Sequence, residues 1–213
     1  MQARVIVSDP PWAFDDKLPS GEGKTRRGAA QQYPVLDLGE ILRLRVEDVA
    51  ADDAILALWC PAAMLHAGLM TMQAWGFDYK QTWIWVKRKK GHQPCHVDGL
   101  AFGMGRYARS CKEMVLVGTR GSVIRHLKTR SERDVIIAPA TPHSEKPEEL
   151  QDQLDRMFPD GGRVELFARR DRDGTPPWLC VGNECPTTMG EDIRDSLARL
   201  APQHGLFGAG STT

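Results

Sequence analysis

One stretch of this sequence decides the fold, Val5-Ile6-Val7-Ser8-Asp9-Pro10-Pro11-Trp12. Its first three residues are β-branched and uninterrupted, which predicts a short buried strand. The two prolines must end that strand, because neither can donate to a sheet ladder and each fixes φ. We therefore expect Asp9 at the carboxyl end of a buried strand, on a stiff turn. In open α/β sheets, ligands bind at that edge.

This arrangement suits the positioning of an exocyclic amine on an aromatic base. Such an amine is a poor nucleophile, because its lone pair is delocalised into the ring. Asp9 can accept one amine hydrogen and the free carbonyl of Pro10 the other, so that the lone pair faces an electrophile. Pro11 keeps the acceptors rigid, and Trp12 offers a face on which the base stacks. A plain strand-ending Asp-Pro turn has the same sequence, so the motif needs support from the rest of the chain.

The composition is that of an ordinary globular protein. The chain has 213 residues, of which 41% are hydrophobic and 26% charged, and we expect one domain over residues 1–203 with a frayed tail at 204–213. The formal net charge is zero, so any surface for nucleic acid must be local. No apolar run reaches membrane-spanning length, which predicts no membrane association.

The cysteines and histidines give no strong metal signal. Five cysteines without a Cys-x-x-Cys pair favour a reduced, cytoplasmic setting. His92, Cys95 and His96 lie close together but lack a second ligand cluster, so we predict no metal site.

Strands and helices alternate along the chain. Apolar or alternating runs predict strands at 5–7, 54–60, 82–86, 114–118, 135–138, 163–168 and 178–181, and helical spacing marks 38–44, 62–74 and a segment that opens at His143-Ser144. Ser144 is a plausible N-cap of that last helix. This alternation predicts an α/β fold with a largely parallel sheet.

A long polar loop and three basic stretches are the other notable segments. Residues 13–34 are rich in Gly, Lys and Arg, and we favour a lid that orders on binding over a disordered loop. Basic residues cluster at 87–90, 106–112 and 120–133. A charge run is often only a solvated face, but basic residues interleaved with Tyr and Gly also suit phosphate contact and base stacking.

The ordered set of motifs resembles a known family. The motifs are Asp9-Pro10-Pro11-Trp12, Leu58-Trp59, Trp85-Val86-Lys87, Glu113 with Leu116-Val117-Gly118, His143-Ser144-x-Lys146-Pro147, Glu165-Leu166-Phe167-Ala168-Arg169 and Gly182-Asn183-Glu184. In this order and spacing, over about residues 4–185, the chain resembles the N6-adenine methyltransferase family. That family includes the catalytic subunit of the eukaryotic messenger-RNA N6-adenosine methyltransferase. The chain length is similar to that of compact bacterial or phage members.

The resemblance implies a Rossmann-like methyltransferase sheet and S-adenosylmethionine as the methyl donor. It implies that Asp9 contacts the target amine beside the cofactor and that Lys146 lies beside both ligands. Residues assigned by resemblance to the cofactor are Asp9, Lys146, Phe167, Arg169, Asn183 and Glu184. Alternatives from the residues alone stay open: Lys146 as a solvated lysine in a first helical turn, and Arg169-Arg170 as a surface charge pair.

Further residues are assigned to the nucleic acid. Tyr33 resembles a family tyrosine on the loop after the catalytic motif. Trp12 and Lys146 also belong to the predicted substrate-binding set. The basic stretches contribute its remaining members, Lys87, Arg88, Lys89, Arg106 and Arg109.

One departure from the eukaryotic enzyme concerns an Asp-Ile pair that contacts the cofactor's adenine upstream of the catalytic motif. Here the pair that fits this role is Asp192-Ile193, which follows the ribose-binding motif. We hypothesise a circular permutation, with the catalytic motif first and the cofactor motifs later in the chain. The alternative is an ordinary helix with Asp192 near its N-terminus.

These features together predict methyl transfer to the N6 amine of adenine in DNA that is single-stranded or presents a flipped-out base. The same reaction on RNA is one alternative, and a non-catalytic nucleic-acid-binding subunit is another. Partner subunits of that kind tend to lose the catalytic motif, which is intact here. Relatives associate through the region that matches 88–112, so a homodimer is expected there, in the cytoplasm of a bacterial or phage-infected cell.

Overall fold

The computed structural model describes residues 2–13, 36–92, 96–103, 105, 107–141, 145–174 and 176–202. Most of the predicted lid and all of the predicted tail lie outside these residues, and so do Tyr33, Cys95 and Arg106. The roles predicted for those residues, and the single-domain boundary, stay predictions.

The described residues form one seven-stranded sheet. Its strands are β1 (Ala3–Ser8), β2 (Ala50–Cys60), β3 (Asp78–Arg88), β4 (Lys112–Arg120), β5 (Val135–Pro139), β6 (Gly162–Leu166) and β7 (Trp178–Val181). They lie in the order β5-β3-β4-β2-β1-β6-β7. All seven predicted strands are confirmed, and so is the largely parallel sheet. The exception is β4, which runs antiparallel to both of its neighbours.

Strand β1 lies inside the sheet, between β2 and β6 and parallel to both. Its side chains alternate between two apolar cores: Ile6 packs in one and Val5 and Val7 pack in the other. A strand covered on both faces reads as a continuous apolar run, which is the reason for the sequence pattern at residues 5–7.

Five α-helices are described, namely α1 (Leu38–Leu42), α2 (Val46–Val49), α3 (Leu65–Ala74), α4 (Glu149–Met157) and α5 (Ile193–Leu200). A capping box between Asp37 and Glu40 opens α1. The prediction that Ser144 caps the later helix is wrong, because α4 begins at Glu149 with Glu148 as its N-cap. Lys146 therefore precedes the helix and is not a first-turn lysine.

The helices cover both faces of the sheet. Apolar side chains of α1, α2, α3 and α5 pack on one face around Ile41, Met72 and Trp75. Helix α4 packs on the other face through Leu150 and Leu154. Among these helices we find none with the length and apolar character that membrane crossing requires, a statement that covers the described residues only.

The position of α5 favours the predicted permutation. It contacts α2, which ends directly before Ala50, and Ala50 pairs with Ala3 at the start of β1. Near the start of α5, Arg194 donates to Glu40 at 2.9 Å. Helix α5 thus lies beside α1 and α2, a position compatible with a helix that leads into β1. The α/β Rossmann-like class is confirmed, while the permutation stays a prediction.

Candidate active site at the carboxyl edge of the sheet

The turn after β1 is fixed by hydrogen bonds at both ends. The Asp9 amide donates to the Leu166 carbonyl at 3.4 Å, and the Trp12 amide donates to the Pro10 carbonyl at 2.8 Å. The Pro10 carbonyl was expected to be free, but it already accepts this one hydrogen bond. A carbonyl oxygen has two lone pairs, so one acceptor position remains on it.

Trp12 lies in the core and not on a binding surface. Its side chain packs in the same apolar cluster as Ile41, with only 5% of the residue exposed. Its indole N–H donates to the Trp59 carbonyl at 3.0 Å. The predicted stacking of a base on Trp12 is not supported by this structure. Instead, Trp12 anchors the acceptor turn to the end of β2.

Lys146 is the central cation of the site. Its Nζ lies 2.8 Å from Oδ2 of Asp9 and 3.4 Å from Oε2 of Glu113, and it sits 5.6 Å from the ring centroid of Trp59. Burial alone would lower the pKa of Lys146, but the charges of Asp9 and Glu113 and the hydrogen bonds to them outweigh it, so the pKa lies above the ordinary lysine value. Lys146 is therefore charged at neutral pH, and the reading as a solvated lysine is wrong.

The row of charges continues from Lys146 to a second lysine. Glu113 forms an ion pair with Lys87, and the Lys87 Nζ lies 4.5 Å from the ring centroid of Trp85. Trp85 and Trp59 meet edge to face at 6.1 Å. We call Lys87, Glu113, Lys146 and Asp9 the charge row. Its alternating signs sum to zero, which lowers the cost of holding four charges away from water.

Glu113 is the member of the charge row to which sequence reasoning gave no role. It lies near the start of β4 and pairs with Trp85 near the end of β3. Because β4 is antiparallel, its start reaches the edge where β1 and β2 end. An acid near the start of a strand gives no such signal until the direction of that strand is known. Lys87, predicted to contact phosphate, has a side chain only 20% exposed and points into this row.

A second group of predicted residues lies at the ends of β6 and β7. Phe167 has a φ of 63°, so the chain turns sharply directly after β6. A β-carbon at Gly182 would lie 2.2 Å from the Ala168 carbonyl oxygen, so only glycine lets the two strand ends approach. Beyond that contact, Arg169 and Glu184 form an ion pair at 3.6 Å.

The groups at these strand ends fit a ribose-bearing cofactor. Asn183 is exposed and its backbone carbonyl accepts from the Gly190 amide at 2.9 Å, which fixes the loop. The Glu184 side chain is about one-third exposed, so its carboxylate can accept hydrogen bonds from two vicinal hydroxyls. The ion pair of Arg169 with Glu184 joins the two strand ends, so Phe167, Arg169, Asn183 and Glu184 form one group of neighbouring residues. Their contact with a cofactor stays a prediction.

Asp192 and Ile193 lie at the start of α5. The Asp192 side chain accepts from the Arg194 amide at 2.8 Å as the N-cap, and it forms an ion pair with the Arg194 side chain at 3.1 Å. Ile193 is 7% exposed and packs in the core. Asp192 is therefore a helix cap, as the alternative stated. A contact of Asp192 and Ile193 with the cofactor stays a prediction.

Arg170 links the two halves of the site. It forms ion pairs with Glu145 at 3.0 Å and Glu148 at 2.7 Å. It therefore ties the segment that carries Lys146 to the segment that carries Phe167. Its side chain is about half exposed, so the reading as a surface charge pair holds for Arg170.

Glu165 is a further residue that the sequence analysis left without a role. Burial raises its pKa above the ordinary value, an effect that a hydrogen bond from Gln151 and the charges of Arg172 and Arg170 partly offset. The Gln151 Nε2 donates to Glu165 Oε2 at 3.0 Å. Glu165 thus joins α4 to β6 beneath the site.

The third basic stretch does not belong to this edge. Arg125 pairs with Asp53 near the start of β2, and Arg120 donates to the Glu47 carbonyl at 3.1 Å. Both contacts lie at the opposite end of the sheet from Cys60 and Asp9. The prediction that residues 120–133 carry a nucleic-acid backbone at the site is therefore not supported.

No group of three or more potential metal ligands occurs within the part of the chain that is described. His92 and His96 belong to that part, whereas Cys95 does not.

Comparison with known proteins places the chain in a family. A sequence profile of the MT-A70 family matches residues 3–184. The chain is 33% identical over 187 residues to the type II methyltransferase M.MunI of Mycoplasma sp, an alignment that covers 82% of this chain and 76% of that enzyme. It is 28% identical over 180 residues to the human N(6)-adenosine-methyltransferase catalytic subunit METTL3, covering 84% of this chain and 28% of the subunit. An Arabidopsis thaliana N(6)-adenosine-methyltransferase MT-A70-like protein is 29% identical over 182 residues, covering 84% of this chain and 23% of that protein.

Proposed function

The chain belongs to the MT-A70 family of methyltransferases, and from that premise we propose that it transfers a methyl group from S-adenosylmethionine to the N6 amine of adenine in DNA. The observation that carries this proposal is the Asp9–Lys146 contact at 2.8 Å. It lies at the end of β1, directly beside the end of β6. The residues proposed to accept the amine and those proposed to hold the methyl donor thus follow neighbouring strands.

Asp9 orients the target amine. Lys146 contacts Oδ2 of Asp9, and the other carboxylate oxygen accepts one amine hydrogen. The second lone pair of the Pro10 carbonyl accepts the other hydrogen, and the proline pair keeps both acceptors rigid. Acceptors fixed before the reaction need no reorganisation when charge develops on the amine nitrogen.

The ends of β6 and β7 hold the cofactor. S-adenosylmethionine, when bound, supplies a methyl group on a positively charged sulfur. Glu184 and Asn183 would accept hydrogen bonds from the ribose hydroxyls, and Phe167 and Arg169 would contact the same cofactor. Asp192 and Ile193 are proposed to contact the adenine of the cofactor. In this arrangement the protein acts mainly by positioning, which alone can supply a large part of a rate enhancement.

The target adenine must leave its stack before its amine can reach Asp9, so the substrate is single-stranded or presents a flipped-out base. Arg88, Lys89 and Arg109 contact the phosphates of the substrate. The same role is proposed for Arg106 from its place in the sequence. Tyr33 is proposed to contact the base from the loop after the catalytic motif.

Similarity to a type II methyltransferase over three-quarters of that enzyme favours DNA. The eukaryotic N(6)-adenosine methyltransferases match over only about a quarter of their length, so RNA is the second candidate. A purely structural subunit is disfavoured, because such a subunit has no need of a lysine buried between Asp9 and Glu113.

A panel of oligonucleotides tests this proposal. Single- and double-stranded DNA and RNA of one adenine-containing sequence are incubated with labelled S-adenosylmethionine, and the products are digested and identified by mass spectrometry. We expect N6-methyladenine in DNA, with transfer lost in Asp9→Ala. Transfer only to RNA would move the assignment to the second candidate. If no adenine substrate is methylated, the assignment of methyltransferase activity is rejected.

A further inference from the structure

The segment between β3 and β4 exposes large apolar side chains beside the site. Tyr107 is 96% exposed, Phe102 74% and Val97 80%. Singly exposed apolar residues are ordinary, but three strongly exposed ones within eleven positions of one segment indicate a binding surface. We call Phe102 and Tyr107 the aromatic pair.

This segment is held against β3. Bridges join Arg88 to Leu100 and Gly103 to Ser110, and the Ala101 amide donates to the Lys87 carbonyl at 2.7 Å. Lys87 belongs to the charge row that ends at Asp9. The aromatic pair is therefore attached to the active site through one end of that row.

Strong local charge distinguishes this surface from the rest of the chain. Residues 87–112 contain seven Lys or Arg and one acid, Asp98, in a chain whose net charge is zero. The Arg109 guanidinium lies 4.9 Å from the ring centroid of Phe102, so a cation already rests against one aromatic ring. A protein partner that covered an apolar patch would have to bury these charges. A polyanion with aromatic bases complements both features.

We propose that Phe102 and Tyr107 stack on unpaired bases that flank the target adenine, while Arg88, Lys89 and Arg109 contact the adjoining phosphates. This inference rests on the proposed function and adds the form of its substrate. Stacking on a side chain requires bases that are not paired, so the enzyme favours a single-stranded or locally melted segment. Lys87 is left out of the phosphate contacts, because it is paired with Glu113.

The test combines the protein variants with changes in the oligonucleotide. Affinity for a short single-stranded DNA is measured by fluorescence anisotropy for wild type, Phe102→Ala and Tyr107→Ala. Each protein is tested with the intact DNA and with DNA that carries an abasic position on either side of the target. Phe102→Trp and Tyr107→Phe keep a stacking face and serve as rescue variants. Ile124→Ala removes an apolar side chain of 60% exposure at the opposite end of the sheet and is the matched control.

Each alanine variant should weaken binding of intact DNA about tenfold, in the range measured for loss of one stacked base. On the abasic DNA that lacks its partner base, the same variant should have almost no further effect. The rescue variants and Ile124→Ala should bind as wild type does. Equal losses on intact and abasic DNA would overturn the inference.

Two other results separate this inference from its alternatives. Sedimentation without DNA reports whether the same variants convert a dimer to a monomer. If they do, and binding falls equally on all DNA forms, the surface is the predicted dimer interface at 88–112 and the stacking role is rejected. Affinity is measured without methyl transfer, so failure of wild type to methylate any adenine would reject only the proposed reaction. The stacking role is still decided by whether the effect of each alanine variant disappears on abasic DNA.

Discussion

At the scale of single residues, the chemistry depends on how four charges share one small space. Lys146 contacts two carboxylates, and Glu113 is shared with Lys87. Removal of one charge leaves the charge row with a net charge of plus or minus one, whereas removal of two charges of opposite sign keeps it neutral. The geometry of Asp9 should therefore respond to the balance of the charge row as well as to each contact.

Glu113→Gln should lower kcat roughly tenfold to hundredfold, because Lys146 loses one of its two anchors and shifts against Asp9. Lys87→Met should have a smaller effect, and the double variant should recover part of the activity lost in Glu113→Gln. The rate of methyl transfer in a single turnover is measured for the two single variants and the double variant. Glu132→Gln is the control, since Glu132 pairs with Arg156 away from the strand ends. Strictly additive losses in the double variant would contradict the shared-charge account.

Sequence reasoning could identify Asp9 and Lys146 because both lie in ordered motifs. It could not predict that Trp12 is buried, since the acceptor of its N–H is a carbonyl 47 positions away. It could not predict the second partner of Lys146 either, because Glu113 reaches the site only through the direction of β4.

At the scale of elements, the site depends on the close approach of two strand ends. Gly182 follows β7 and abuts the backbone of Ala168 after β6. A methyl group there cannot be accommodated by a rotamer change, because its neighbours are backbone atoms.

Gly182→Ala should cost about 1–3 kcal/mol of unfolding free energy through overpacking. It should also weaken S-adenosylmethionine binding, because Asn183 and Glu184 move away from Arg169. Thermal unfolding and calorimetric titration measure the two effects. Gly39→Ala in α1 is the control, because a β-carbon there meets only side-chain atoms of Arg43 and Asp37. Unchanged affinity of Gly182→Ala for S-adenosylmethionine would show that the ends of β6 and β7 do not hold the cofactor.

Glu165→Gln should stabilise the protein at neutral pH. The pKa of Glu165 is raised in the folded state above its ordinary value of 4.5, so the folded state favours the proton. The stability associated with that proton is fully present below pH 4.5 and is lost as the pH rises through the folded pKa. Glutamine keeps the neutral form, so its advantage should be absent at low pH and present at pH 7, as a rise of about 2–4 °C in Tm. An equal change at both pH values would contradict this assignment.

The strands were predictable at this scale because buried strands read as apolar runs. The start of α4 was not, since Ser144 and Glu148-Glu149 both resemble helix starts and only the contacts of Lys146 and Arg170 separate them. These contacts join residues far apart in the sequence.

At the scale of the whole molecule, the residues proposed to hold the methyl acceptor precede most of those proposed to hold the cofactor. Strands β6 and β7 come late in the sequence, yet β6 lies next to β1. Helix α5 lies on the face that also holds α1, α2 and α3. The order of motifs in the sequence predicted the Rossmann-like class, whereas the antiparallel β4 could not be predicted from a run of apolar residues that reads the same in both directions.

The predicted permutation would give Asp192 two roles, as helix cap and as cofactor contact, and substitution can separate them. Asp192→Ala should weaken S-adenosylmethionine binding about tenfold, the effect of one lost hydrogen bond to a charged group. It should also lower Tm, because α5 loses its cap. Asp192→Ser keeps a cap but has a shorter side chain without a carboxylate, so it should lose affinity at nearly unchanged Tm. Wild-type affinity in the serine variant would leave Asp192 as a cap only.

The central claim is that Asp9, held by Lys146, orients an adenine amine for methyl transfer. Its most direct test is the single-turnover rate of N6 methylation by wild type and Asp9→Asn, on the same DNA and at saturating S-adenosylmethionine. Asparagine keeps the shape of the side chain and removes its charge. The rate in Asp9→Asn should be on the order of 10³-fold lower, as for loss of one preorganised group, with cofactor affinity nearly unchanged. A rate within threefold of wild type would show that the Asp9 carboxylate does not have this role.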